Sequence, residues 1–376
     1  MQTIQQLEEA MERIAPKHLA EEWDNVGLLA GERAHPLRRV LLCIDLTEEV
    51  LAEAIRKNAD AVVAYHPPIF KPLTRIVEDT PSGRIILGAL TSGISLYSPH
   101  TAADATPGGV NDWLCEGLGR GLRRPLRNAI EFSPQQAFKI VTFSPQEAVD
   151  TLVSRLSECG AGIIGNYSQC SFQSSGTGTF LGGEGSNPVV GIKGELEQAP
   201  EVRLEMVCGS ANLSIIIETL KDIHPYEEPA YDIYQLEGTP SPTTGSGRIL
   251  TLDTPQTFAT LSEHLRGHLA TGRLIGSETS PGRLHEHVGV CAGSGGDLLD
   301  DALHAGCSLF VTGEMSHHDV LKAKNSGCAV LLAGHTNTER GWLKVLRKEL
   351  MKDLRKGDHK VDIEISRVDC DPLQSL

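Results

Sequence analysis

Phe310-Val-Thr-Gly-Glu-Met-Ser-His-His-Asp319, followed by Leu331-Leu-Ala-Gly-His-Thr-Asn-Thr-Glu-Arg340, carries the pattern that decides the fold. Each half opens as a short apolar run, Leu309 to Val311 and Ala329 to Ala333, and ends in glycine plus residue types that bind metals. Runs of that length bounded by glycine read as buried parallel strands, because a strand covered on both faces has no polar side to present. Ser316 with Asp319 three residues on reads as the N-cap of a helix reaching to about Gly327. The expectation is an α/β sheet with Glu314, His318, His335 and Glu339 at the carboxyl ends of neighbouring strands, where open sheets hold ligands.

The pattern occurs twice. Ala61-Val-Val-Ala64 reads as a strand that stops at Tyr65-His66-Pro67-Pro68, and proline cannot continue a ladder, which puts His66 at a sheet edge. Ile94 to Tyr97 empties into His100-Thr-Ala-Ala-Asp104, and His335-Thr-Asn-Thr-Glu339 repeats that His-Thr-x-x-acid order. Both copies follow a Ser-Gly turn and an apolar strand, and both precede a tryptophan, Trp113 or Trp342. We read a degenerate internal duplication. Each half-site supplies an imidazole or an oxygen ligand and a carboxylate, a direct way to build a centre for two cations. That donor set suits zinc, manganese or iron, and the absence of paired cysteines argues against structural zinc. His335 and Glu339, four apart, fit one face of a first helical turn with about 5–6 Å between them. Pro107 and Gly108-Gly109 make the surroundings of Asp104 read as a loop. The competing reading of each His/acid pair is a helix N-cap with a buried polar pair.

Bulk composition limits the function classes. A length of 376 residues allows two domains, and 40% hydrophobic content supports a sizeable core. A formal net charge of −15 repels a phosphate backbone, so nucleic acid is not an expected partner. No stretch reads as a membrane segment; Ile4, Leu7, Met11 and Ile14 mark an amphipathic opening helix, not a signal peptide. Nine cysteines, scattered singly, look like reduced core residues of a cytoplasmic protein.

Elsewhere, Trp23-Asp-Asn admits two readings, a cap or a site neighbour, with the structural role favoured. Arg39 to Ile44 is a further strand, and Thr47 caps a helix with Val50, Leu51, Ala54 and Ile55 on one face. From about Arg127 the order becomes β-α-β-β-α-β, a ferredoxin-like module whose second strand, Ser168 to Phe172, leads into a glycine-rich loop from Ser174 to Pro188. That loop admits an anion site or a plain hairpin. His224-Pro-Tyr-Glu-Glu228 admits a lid, a second metal patch or a rigid turn. Thr239 to Gly247 reads as the linker back to the first domain, giving 1–126 with 246–376 as a discontinuous domain and 127–245 as the insert. Val288 to Cys291 runs into Ala292-Gly-Ser-Gly295-Gly296, whose amides are candidates to contact a substrate anion.

Taken together, Trp23-Asp-Asn-Val-Gly-Leu-Leu, Tyr65-His-Pro-Pro-Ile-Phe, Tyr97-Ser-Pro-His-Thr with Asp104, Gly176-Thr-Gly-Thr-Phe, His224-Pro-Tyr-Glu-Glu-Pro, Thr312-Gly-Glu with His318-Asp319, and Gly334-His with Thr338-Glu-Arg resemble the GTP cyclohydrolase 1 type 2 homologue family, also called NGG-one-interacting-factor-three-like proteins. The likeness spans the chain in order and matches the long form with an inserted module similar to PII and copper-tolerance-A proteins. It implies two intertwined α/β repeats, a dinuclear metal site with one or two ions per subunit, and a homohexamer built as a trimer of dimers. Its ligand pattern of a His-His pair, Asp, His and Glu falls on His66, Asp104, His335 and Glu339, with Tyr65 where the first histidine belongs. Tyr65 and His100 are then neighbours of the ions or of substrate. Two functions remain open. One is a metal-dependent hydrolase in which Glu314 or His318 moves the proton, acting on an unidentified small molecule of the GTP or phosphoester kind. The other is a non-catalytic hexameric metal-binding or metabolite-sensing protein.

Overall fold

The computed structural model describes residues 2–186, 189–271, 273–355 and 360–373. The chain divides into two compact units, Met1–Ala129 with Ser241–Leu376, and Ile130–Pro240. The architecture is mixed α/β.

In the first unit two sheets share a plan. One runs Asp362–Ile365, Arg39–Cys43, Ala61–Ala64, Ser95–Ser98 and Gly27–Ala30, the first four parallel and the last antiparallel. The other runs Gly121–Arg124, Arg248–Thr257, Leu284–Ser294, Leu309–Glu314, Ala329–Leu332 and Ile275–Ser277, with its three strands from Leu284 to Leu332 parallel. In each, three parallel strands follow one another in chain order, and the strand preceding them in the chain lies antiparallel on the far edge. The last strand of the chain returns to the first sheet.

Alternation along each strand sorts residues into layers. Val40, Leu42 and Val63 of the first sheet share a core with Leu309, Val311 and Leu331 of the second, together with helices Ile4–Ile14 and Leu343–Asp353. The opposite faces, Leu41, Val62 and Leu96 on one and Phe310 and Val330 on the other, pack against their own helices. Strands covered on both faces explain why these segments read as continuous apolar runs. Ile55 departs from the expected helix face: Val50, Leu51 and Ala54 are buried while Ile55 is exposed.

The Ile130–Pro240 unit carries strands Phe138–Ser144, Phe172–Leu181, Leu196–Cys208 and Tyr231–Gln235, with helices Val149–Glu158 and Leu213–Ile223. The strands lie in the order second, third, first, fourth, with all neighbours antiparallel, which is the split β-α-β pairing of ferredoxin-like sheets. The glycine-rich stretch corrects an expectation. Ser174–Leu181 is strand, not loop, paired residue for residue with Leu196–Arg203. A Cβ at Gly178 would come within 2.1 Å of the end of the Glu201 side chain, which would have to turn aside. Asn187 and Pro188 of the same stretch lie outside the described residues. The expected linker after Thr239 is also a strand, Thr239–Ser246, paired with Arg127–Glu131.

Candidate functional site

His66 follows the strand Ala61–Ala64, His100 follows Ser95–Ser98, Glu314 ends Leu309–Glu314, and His335 follows Ala329–Leu332. All four leave the carboxyl ends of parallel strands. Helix His100–Ala105 then carries Asp104, and the short helix Asn337–Arg340 carries Glu339. Asp104 is thus on a helical turn and not in the loop expected from Pro107 and Gly108. The chain reaches that turn because His100 adopts a φ of 28°, a conformation uncommon outside glycine and held here by side-chain bonds.

Glu339 is the centre. Its side chain is 3% exposed, with Oε1 3.3 Å from His335 Nε2 and Oε2 3.6 Å from His66 Nε2. The ligand atoms of His66, His335 and Glu339 all lie within 4.8 Å of one another. Gly293 lines the same point, since a Cβ there would meet Glu339 Oε1 at 2.7 Å and His335 Nε2 at 3.1 Å.

Each histidine is anchored through its other nitrogen. His66 Nδ1 donates to Asp45 Oδ1 at 2.8 Å, His335 Nδ1 to Glu314 Oε1 at 2.9 Å, and His100 Nδ1 to Asp24 Oδ1 at 2.7 Å. A carboxylate behind the imidazole fixes the ring and its tautomer and raises its basicity, an arrangement typical of metal-binding histidines. The His66 ring centroid is 5.4 Å from those of both His100 and His335. Asp24 also accepts from the Thr101 amide at 3.1 Å, so Trp23-Asp-Asn belongs to the site as well as to the fold.

Electrostatics follow from these contacts. Burial opposes charge on His66, but the bond to Asp45 and the nearby Glu339 carboxylate, 3.6 Å away, outweigh it and hold its pKa at about 10. The bond to Glu339 leads in lifting His335 to about 9. Burial raises Glu339, yet the two imidazoles bring it net below the usual range. Asp104 is pushed up to about 7 by burial, against the lowering effect of the Tyr65 phenol, which donates to its Oδ1 at 2.6 Å. Two imidazolium groups around one buried carboxylate form a compact charge cluster that a divalent cation can replace. Among the described residues Glu339 Oε2 has no hydrogen-bond partner although it is buried. A buried carboxylate oxygen left in that state, facing two oriented imidazoles, fits a metal ion.

The remaining expected residues fall differently. Glu314 is in the site, half exposed behind His335. His318 is exposed on the first turn of helix His317–Asn325, where its ring meets His317. Gly295 sits over Thr312 and Gly296 faces Asp319, so of this glycine run it is Gly293 that touches the cluster. His224 is fixed by both nitrogens, Nε2 to the Phe143 carbonyl at 3.1 Å and Nδ1 from the Tyr226 amide at 3.1 Å, which makes it a rigid turn. Asp45 carried no local sequence signal beyond its position just past the strand Arg39–Cys43. Asp24 and Gly293 lie in the Trp23-Asp-Asn and Ala292–Gly296 stretches, read as a cap or site neighbour and as an anion contact, and not as the support for His100 and the lining of Glu339 that they are.

The signature of the Duf34/NIF3 (NGG1p interacting factor 3) family matches residues 2–372. The chain belongs to this family. Among its relatives in Duf34/NIF3, the protein called GTP cyclohydrolase 1 type 2 homolog in Halalkalibacterium halodurans is 36% identical over 374 residues, covering 99% of this chain and 98% of that one. The human NIF3-like protein 1 is 35% identical over 366 residues, covering 94% and 88%. Among solved structures, a Staphylococcus aureus protein superposes with a TM-score of 0.77 at 27% identity over 100% and 99% of the two chains. A Bacillus cereus protein related to NIF3 gives 0.66 at 33% identity, also over 100% and 99%. Among the described residues, no helix of this Duf34/NIF3 chain is long and apolar enough to cross a membrane.

Proposed function

We propose that this chain is a metal-dependent hydrolase of a small-molecule substrate, holding a divalent cation through His66 Nε2, His335 Nε2 and the Glu339 carboxylate. The observation that carries the reading is Glu339: buried, short of a hydrogen-bond partner at Oε2, and set between two imidazoles whose Nδ1 atoms are pinned by Asp45 and Glu314. Two histidines and a carboxylate suit zinc, manganese or iron. A cation bound there supplies Lewis-acid polarisation and acidifies a water. Glu339 and the two imidazoles bind, Asp45 and Glu314 orient, and Gly293 leaves the space that a side chain would fill. Glu314, half exposed, has an oxygen beyond the one bonded to His335 and can hold a proton at that atom. The relatives named GTP cyclohydrolase 1 type 2 homolog support hydrolytic ring opening as the first chemistry to try.

A second ion position is suggested by the placement of Asp104 on a helical turn matching that of Glu339, but the Tyr65 phenol bonded to Asp104 Oδ1 favours one ion in the natural chain. The matched strand order of the two sheets supports reading them as duplicated repeats. We further propose that the insert is PII-like and that the chain assembles as a ring-like hexamer; sedimentation of the purified chain tests the latter.

The test is metal content per chain on protein purified without chelator, for the natural sequence and for His335→Ala, followed by a substrate screen starting with GTP and phosphoesters. One or more equivalents, mostly lost in the variant and accompanied by turnover, is the expected result. Metal without turnover would favour the non-catalytic reading, and no metal would overturn both.

A further inference from the structure

Trp23 is 60% exposed and Phe70 is 48% exposed, at the edge of the candidate site. The other two tryptophans, Trp113 and Trp342, are 8% and 1% exposed. Exposed aromatic rings usually sit on mobile loops, but here the mounting is rigid. Asp24, next to Trp23, uses its buried carboxylate on His100 and Thr101. Asn25 donates from its side chain to the Ile69 carbonyl, next to Phe70, and so ties the two ring-bearing loops together. The Trp23 and Phe70 centroids are 5.8 Å apart at 51°, an open V that leaves ring faces free. His100 meets both edge-on, at 5.9 Å and 6.4 Å, and is itself 5.4 Å from His66. Aromatic surface therefore runs unbroken from solvent to an imidazole of the cluster.

We propose that Trp23 and Phe70 are a stacking platform for a planar aromatic or heteroaromatic ring of the substrate, delivering the group attached to that ring to the His66–Glu339 cluster. This rests on the hydrolase reading above and adds the substrate class. Two polar neighbours committed to holding Trp23 and Phe70 in place, with the rings themselves left uncovered, is the arrangement expected of a binding surface. Stacking needs only a flat π-face and is tolerant of ring identity, so the class is defined by planarity.

Trp23 fluorescence reads this directly, because the other two tryptophans are buried. The full chain, with its metal content measured on the same sample, is titrated with adenosine, guanosine and, as the non-planar control, ribose. Saturable quenching by the nucleosides and none by ribose is expected, with Phe70→Ala weakening the nucleosides about tenfold at unchanged metal content. Trp23→Phe should remove the optical signal while calorimetry still detects binding. Absence of saturable quenching in metal-containing protein would overturn the platform. So would Trp23 emission that shifts with protein concentration but not with nucleoside, since a second copy of the chain would then cover the rings. Quenching in protein that holds no metal would keep the platform and remove the ion.

Discussion

Tyr65 donates its phenolic proton to Asp104 Oδ1 across 2.6 Å, with its ring centroid 5.1 Å from that of His66. Burial, and then the charge of Asp104, drive the phenol pKa well above its usual value, so it stays a neutral donor. One oxygen of Asp104 is thereby committed to a hydrogen bond. We expect about one tightly bound cation per chain in the natural protein and about two in Tyr65→His, where an imidazole replaces the phenol. Elemental analysis of both proteins decides this; equal content in the two would contradict it.

The carboxylates behind the imidazoles should matter nearly as much as the ligands. Asp45→Asn and Glu314→Gln are each expected to weaken metal affinity about 10- to 100-fold, measured by competition with a chromophoric chelator. A surface substitution such as Glu349→Gln should leave the affinity unchanged, because Glu349 pairs with Lys352 on the helix Leu343–Asp353, outside the cluster.

Stripping the metal should make stability depend on alkaline pH. His66 and His335 have folded pKa values of about 10 and about 9, above the ordinary 6.5. A raised folded pKa contributes stability that is complete below the unfolded value and is lost as pH rises through the folded one. The denaturation midpoint of chelator-treated protein is therefore expected to fall as pH climbs from about 6.5 through 9 and towards 10. Metal-loaded protein, whose ligating imidazoles are already neutral, should lack that component.

Gly293 has a φ of 62°, and a Cβ there would meet Glu339 Oε1 at 2.7 Å. Gly293→Ala is expected to cost about 1–3 kcal/mol in chemical denaturation and to reduce metal content. Gly306→Ala is the control: its φ is 75°, but a Cβ there meets nothing within 4 Å. It should share the backbone cost without the metal loss.

Arg248, 1% exposed, uses all five N–H groups: Nε on Asp112 at 2.9 Å, and the others on the carbonyls of Gly245, Gly247, Ala105 and Thr106. Two of those carbonyls close the helix that carries His100 and Asp104. Arg248→Met should destabilise by about 3–5 kcal/mol, because it leaves the Asp112 carboxylate buried and unpaired. Adding Asp112→Leu should recover only the part due to the unpaired carboxylate in the same denaturation assay, since the four carbonyls stay without their donor and the Gly108 amide loses Asp112 Oδ2.

Part of this was written locally. A strand that ends in His66-Pro67-Pro68 has its polar terminus fixed by proline geometry, and the spacing of His335 and Glu339 is set by one helical turn. Buried parallel strands announce themselves as apolar runs, so the three consecutive parallel strands of each sheet and the capping box at Ser316 were legible, while the fourth parallel strand of the first sheet, Asp362–Ile365, was not. The edge strand Phe172–Leu181 was not, because serine and glycine have low strand propensity and its long partner, Leu196–Cys208, supplies the order.

Tertiary structure alone decided which polar residues meet. Asp45 lies 21 positions from His66, Asp24 lies 76 from His100, and Arg248 lies 136 from Asp112. Such pairs depend on how strands enter a sheet, and no local periodicity encodes them. The sequence by itself determined the chemical alphabet of the site, imidazole and carboxylate at strand ends. Packing of the two sheets through a shared core chose His66, His335 and Glu339 as neighbours, and left Asp104 to the Tyr65 phenol. Side-chain convergence over such separations is a property of the folded core, because only there does burial make each unpaired donor or acceptor costly enough to fix its partner.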